Sequence, residues 1–140
     1  MTSLDDLKLM ERVGAAWAGG DLGVLRSLLH PAGTWAFVDD SPRVIHDPDE
    51  LIEASRKVQR DPIYQVSNIR HMRLTDRVLL GSCQVRTAMR RSRGHRVARY
   101  FLLLEVRDGL FYRSESFANE DVARATAEQG WASGVELPAS

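Results

Sequence analysis

The chain of 140 residues has one cysteine, Cys83, so it can hold neither an internal disulfide nor a cysteine-only metal site. A single thiol fits a reducing compartment, and a cytoplasmic protein is expected. Neither sign of charge is in excess. Nineteen Lys and Arg balance nineteen Asp and Glu, which removes the general electrostatic case for nucleic acid or an anionic membrane. No segment approaches the ~20 apolar residues that a bilayer-spanning helix needs. The start, Met1 to Val13, has no basic stretch followed by an apolar run, so it does not read as a secretory signal. Glycine-rich phosphate loops, nucleophile elbows and zinc motifs are missing. The histidines His30, His46, His71 and His95 never fall at metal-ligand spacing, so no metal and no cofactor are expected.

What is present fits one domain with a core of its own, residues 1–130, followed by a loosely ordered tail, 131–140, rich in Gly, Ser and Pro. Leu4, Leu7, Met10, Val13 and Trp17 recur at helical spacing and predict an amphipathic first helix. The run AGGD ends it, and Asp21 can cap a short second helix carrying Leu22, Leu25, Leu28 and Leu29. His30, before Pro31, reads as the end of that helix. GTWAFV is a short strand, DDSPR a turn. Asp47, Pro48 and Glu50 then open a third helix with Leu51, Ile52, Ser55 and Val58 inward.

From Tyr64 the period changes to two. Four strands follow, joined by LTDR, RRSRGHR and RDG, and Asn119 can cap a closing helix. Long alternating strands with short turns predict an antiparallel meander. Segregated helices and strands make the fold class α+β, with helices on one face of a curved antiparallel sheet.

The stretches AAWAGGDLGVLRSLLHPAGTWAF and FLLLEVRDGLFYRSESFANED carry a resemblance. They are similar to the nuclear transport factor 2-like superfamily, especially its SnoaL-like polyketide cyclase and ketosteroid isomerase-like branch. The N-terminal stretch resembles that superfamily's helix, small-residue link, short helix and first strand. The C-terminal stretch resembles its strand, Asp-Gly hairpin, strand and closing helix. The resemblance implies a cone-shaped α+β barrel of the cystatin-like kind, wrapped by the N-terminal helices around a mostly apolar pocket for a hydrophobic small molecule. It also implies a homodimer formed through the outer face of the sheet.

Ungapped, the acid–base positions of ketosteroid isomerase-like members fall on Val13, Phe37 and Leu102. All three are apolar, so steroid-type isomerisation with that set is not expected. The acid that SnoaL-like cyclases place before the closing helix falls on Asn119. With period two, Phe111, Arg113, Glu115, Phe117 and Asn119 share one face. If that face lines the pocket, Glu115 is the best catalytic acid, with Asp39 or Asp40 as its partner. Arg99 or Arg113 beside Glu115 could imitate part of an epoxide-hydrolase constellation.

The segment Phe37 to Glu50 holds five carboxylates. Asp47, Asp49 and Glu50 have sufficient work starting a helix, whose dipole favours acids there. Asp39 and Asp40 have turn chemistry as an alternative. Trp17, Trp35, Phe37, Tyr100, Leu102 and Phe117 are candidates for the pocket wall. Tyr100 or Asn119 could donate to a developing oxyanion. His46 or His71 could be a pocket histidine. Arg90, Arg91, Arg93 and Arg96 form a basic hairpin, read either as a solvated tip or as a dock for an anionic partner. Two functions follow: a cofactor-free acid–base enzyme acting by isomerisation, cyclisation, dehydration or epoxide opening, or a non-catalytic binding or assembly module of the same fold.

Overall fold

A computed structural model describes residues 4–37, 43–60, 64–76, 78–88, 94–117 and 119–131. Helix α1 (Leu4–Gly19) has Asp5 and Asp6 in its first turn, where the helix dipole favours them. Its Met10, Val13 and Ala16 are buried. Helix α2 (Leu22–Ser27) is capped by Asp21, whose Oδ1 accepts from the Val24 N–H at 3.3 Å. Helix α3 (Pro48–Arg60) begins on the proline, with Asp47 accepting from the Asp49 N–H. Its Leu51, Ile52, Ala54 and Ser55 face inward. α1 and α3 match the helical spacing; of the four leucines read into the second helix, Leu28 is the C-cap of α2 and Leu29 already belongs to the following strand.

Among the described residues six strands form one open sheet in the order β2-β1-β6-β5-β4-β3. They are β1 (Leu29–Phe37), β2 (Arg43–Ile45), β3 (Tyr64–Arg73), β4 (Leu79–Ala88), β5 (His95–Arg107) and β6 (Leu110–Phe117). The sheet is mixed rather than purely antiparallel, because β1 runs parallel to β6. β1 also starts earlier than its apolar run. His30 and Pro31 lie inside it, and the β1–β6 register shifts between Leu29 and Thr34, across the proline that cannot donate to the ladder. The expected helix end at His30 is therefore corrected. β2, with three residues, is too short to show a period and does not stand out in the sequence.

Two irregularities decide which side chains face the helices. In β3 the register against β4 shifts between Ser67 and Arg70, around Asn68, which has φ 52°. In β6 the register against β5 shifts so that Val106 pairs with Phe111 but Glu105 with Arg113, leaving Tyr112 as an extra residue. An inserted residue flips the alternation beyond it.

The concave face packs on α1, α2 and α3 through Trp35, Phe37, Leu79, Leu104 and Phe111. The opposite face is part-covered by helix α4 (Glu120–Glu128), through Leu80, Leu103, Ala123, Ala127 and Trp131. Trp131, read from sequence as part of the tail, is buried on this side.

Candidate functional site

Between α1, α3 and the concave face lies a cavity of about 110 Å³. Its wall is largely apolar: Val13, Trp17, Trp35, Phe37, Leu102 and Phe111 among others. Four residues expected in a pocket wall, Trp17, Trp35, Phe37 and Leu102, therefore meet here. Tyr100 packs nearby, against the cluster of Cys83 and Val85.

The polar atoms in the wall are few. Ser55 Oγ donates to the Leu51 carbonyl at 2.8 Å, which satisfies it within α3. Ser114 Oγ accepts from the Ala36 N–H at 3.0 Å and ties β6 to β1. Cys83 is buried, and burial pushes its thiol up to about 11, so it is protonated at neutral pH. Trp35 differs from these. Its side chain is buried, and its Nε1–H has no acceptor among the described residues. A buried donor without a partner carries a desolvation cost of about 1–3 kcal/mol, which a ligand oxygen would relieve.

His71 completes the wall. The alternation established at Val66 would turn it outward, and the bulge at Asn68 turns it in. The imidazole packs between Gly14 of α1 and Gly81 of β4. A Cβ on Gly14 would come within 3.2 Å of His71 Cε1, and one on Gly81 within 3.5 Å of Cδ2. Burial lowers the His71 pKa below its usual 6.5, with Glu11 across α1 opposing the shift. The ring is thus neutral near pH 7 and able to accept a proton. His71 also borders an outer groove of about 530 Å³ that includes Glu11.

A sign follows for stability. The unfolded chain takes up a proton on this histidine near pH 6.5, while the folded chain resists until lower pH. Stability should therefore fall as pH drops from 6.5 through the lower folded value. Urea midpoints measured between pH 7.5 and 4.5 check this: His71→Gln should flatten that part of the curve.

The structure separates the remaining candidates from the cavity. Phe111 faces inward, but beyond the bulge at Tyr112 Arg113 and Glu115 face the opposite side. Glu115 Oε1 accepts from Trp131 Nε1 at 2.7 Å. The Arg113 guanidinium lies 3.5 Å from the centre of the Trp131 ring and 3.1 Å from Glu105 Oε1. Burial pulls its pKa down and Glu105 pulls it back up. An arginine–carboxylate group does exist here, outside the cone, where it holds Trp131. Phe117 packs in the same outer cluster, and Asn119 caps α4 by accepting from the Val122 N–H at 2.9 Å. Asp39 and Asp40 lie outside the described residues, as do Arg90, Arg91 and Arg93; Arg96 is exposed on β5. His30 bonds Asp108 at 3.1 Å, and His46 is exposed before α3. Among the described residues no group of three His, Cys, Asp or Glu could hold a metal ion.

No protein-family model and no curated protein sequence matches the chain. Solved structures match it in shape. A nuclear transport factor 2-like protein from Burkholderia xenovorans LB400 superposes with a TM-score of 0.68 at 13% identity, over 91% of this chain and 98% of that one. A Pseudomonas putida KT2440 protein described as a polyketide cyclase gives 0.61 at 14%, over 82% and 92%. A Catenulispora acidiphila DSM 44928 protein with a ketosteroid isomerase-like fold, solved with trimethylamine, gives 0.62 at 13%, over 79% and 84%. At such identities the shared property is the backbone, not the chemistry. The chain has the nuclear transport factor 2-like fold, shared with proteins described as polyketide cyclases and ketosteroid isomerase-like.

Proposed function

We propose that the cavity binds a small, mainly apolar molecule bearing a carbonyl or similar oxygen, and that His71 moves a proton on it. The observation that carries this reading is a neutral imidazole in an apolar wall to which Trp35, whose buried indole N–H has no acceptor among the described residues, also contributes. Such a pair suits proton abstraction next to a carbonyl. The imidazole takes the proton, the C–H electron pair becomes the enolate double bond, and the oxygen gains negative charge that the Trp35 N–H stabilises. Return of the proton at the same carbon gives exchange; return at another gives isomerisation. Glu115 and Asn119 have structural roles in this scheme. Size bounds the substrate, since apolar cavities of about 150 Å³ hold benzene.

Cyclohexanone in D₂O is a direct probe. The protein should accelerate exchange of its α-protons as followed by NMR, and His71→Gln should lower that rate ~100-fold. Glu115→Gln should retain it. The rate should rise with pH through a midpoint below 6.5 as the imidazole loses its proton. A second reading is favoured by one observation: no described cavity residue is a carboxylate. On that reading the protein binds the molecule without converting it. Ligand-induced stabilisation with no exchange would select it.

A further inference from the structure

The balanced charge of the chain conceals a separation along it. Between Tyr64 and Leu104 there are nine arginines, no lysine and one acid, Asp76. Of these arginines, Arg77, Arg90, Arg91 and Arg93 lie outside the described residues. The register places three of the others. On β4 the buried Cys83 and Val85 face the helices, so Ser82, Gln84 and Arg86 face away from them. Their partners on β5, Phe101, Arg99 and Val97, face the same way. On β3, Gln65 and Ser67 pair with Arg86 and Gln84, and Arg70 pairs with Ser82. The outer face of the sheet, opposite to the cavity, therefore carries Arg70, Arg86 and Arg99, all exposed.

Helix α4 packs on the other end of that face, over Leu80 and Leu103, with Arg124 donating to Met72 Sδ at 3.5 Å. The rows through Gln84 and Arg86 lie outside this buried cluster, and Val97 among them is 54% exposed. These rows hold no carboxylate, and none of the three arginines has an ion-pair partner among the described residues. Arg86 and Arg99 stand on a diagonal of adjacent strands, close enough to repel each other. A carboxylate set between them would relieve that repulsion, and a guanidinium can hold one by two parallel hydrogen bonds.

The company these arginines keep selects the partner. Around them are the amides of Gln65 and Gln84, the hydroxyl of Ser67 and the apolar Val97. Arginine among amides and an exposed apolar side chain, without lysine, has the composition of a protein-binding surface. Nucleic-acid phosphates would leave Val97 without a partner. The described rows offer no exposed aromatic side chain to enter a membrane. A second copy set face to face would bring arginines against arginines. The bare rows lie beside α4, where a further helix would complete the layer over the sheet.

We propose that the outer face of β3, β4 and β5 docks an acidic amphipathic helix of a partner protein, with its carboxylates on Arg86 and Arg99 and an apolar side chain on Val97. Arg70, on the edge strand, adds to the attraction from one side. The surface lies on the opposite face from the cavity and does not depend on the activity there.

Fluorescence anisotropy tests this with three labelled peptides of about 16 residues, each roughly four helical turns with the same leucine stripe. Their polar positions are glutamate in the first, glutamine in the second and lysine in the third. The glutamate peptide should bind roughly tenfold or more tightly than either of the others in low salt, and added salt should weaken it. Arg86→Gln combined with Arg99→Gln should abolish that advantage, whereas Val97→Ser should weaken the glutamate and glutamine peptides alike. All three side chains are exposed, so the variants should keep the native thermal midpoint, which is measured first. Equal binding of the three peptides, or a glutamate preference that survives the double substitution, would overturn the proposal. A labelled DNA duplex and phosphatidylglycerol vesicles are run beside the peptides. Tighter binding of either, lost in the double variant, would overturn it in favour of nucleic acid or lipid. Sedimentation adds the last arm: a dimer that excludes the glutamate peptide would overturn it in favour of a second copy.

Discussion

Replacing Trp131 by alanine should cost about 3–5 kcal/mol of stability, the range for removing a buried tryptophan. The residue is 4% exposed and sits between the sheet and α4. Its ring covers the Arg113 guanidinium, and its Nε1 donates to Glu115. Truncation would remove both partners at once and open a cavity over Leu103. Thermal unfolding should report a fall of roughly 10 °C or more for a chain of this size. Trp131→Phe should lose much less, because the ring contact with the cation survives and only the hydrogen bond is lost. Glu115→Gln should be milder still. A loss for Glu115→Gln as large as that for Trp131→Ala would mean that the carboxylate, rather than the packed ring, holds this side together.

Gly33→Ala should cost about 3 kcal/mol, at the upper end of the usual overpacking range. Gly33 lies in β1, two residues before Trp35. A Cβ there would lie 2.6 Å from the Tyr112 carbonyl oxygen and would overlap Trp35 Cζ2 and Cη2. The carbonyl belongs to the backbone of β6 and cannot turn aside, so the indole must move. The substitution thus has a further readout. Displacing the ring reshapes the cavity wall that Trp35 forms, and cyclohexanone affinity should fall together with stability. A stable Gly33→Ala protein with unchanged ligand affinity would contradict the packing described for Trp35. Urea unfolding and calorimetry on the same preparation check both.

The helices were legible because their signals are local. Asp21, Pro48 and Asn119 sit where caps and first turns demand those side chains, and each does that work. The four long strands were legible from period two. The faces of two of them were not, because each carries one extra residue. The bulge at Tyr112 puts Phe111 inside and Glu115 outside, although both stand on the same phase of the sequence. The bulge at Asn68 brings His71 onto the concave face that also holds Val66, five residues earlier. No composition rule announces either insertion; Asn68, tolerant of a positive φ, is the nearest thing to a signal. The best acid read from sequence and the titratable group found in the wall therefore exchanged places through two single-residue shifts. The aromatic wall was easier to read. Trp17, Trp35 and Phe37 are inward on any register that buries the first strand and the first helix.

The parallel pairing of β1 with β6 was hidden for a different reason. It joins residues about eighty positions apart, and nothing local distinguishes a parallel neighbour from an antiparallel one. That pairing places Trp35 beside Phe111 at a ring separation of 6.2 Å, and so gives the cavity its floor.

The indole N–H signal of Trp35 tests the assignment of the cavity most directly. In a ¹⁵N-labelled sample it is identified by its loss in Trp35→Phe and followed during titration with cyclohexanone. If the ligand enters the cavity and its oxygen takes the unpartnered donor, the indole proton should move downfield and saturate with the calorimetric binding curve. The Trp131 indole, already bonded to Glu115, should stay in place. Saturable binding that leaves the Trp35 signal unmoved would show that the ligand lies elsewhere and would contradict the site.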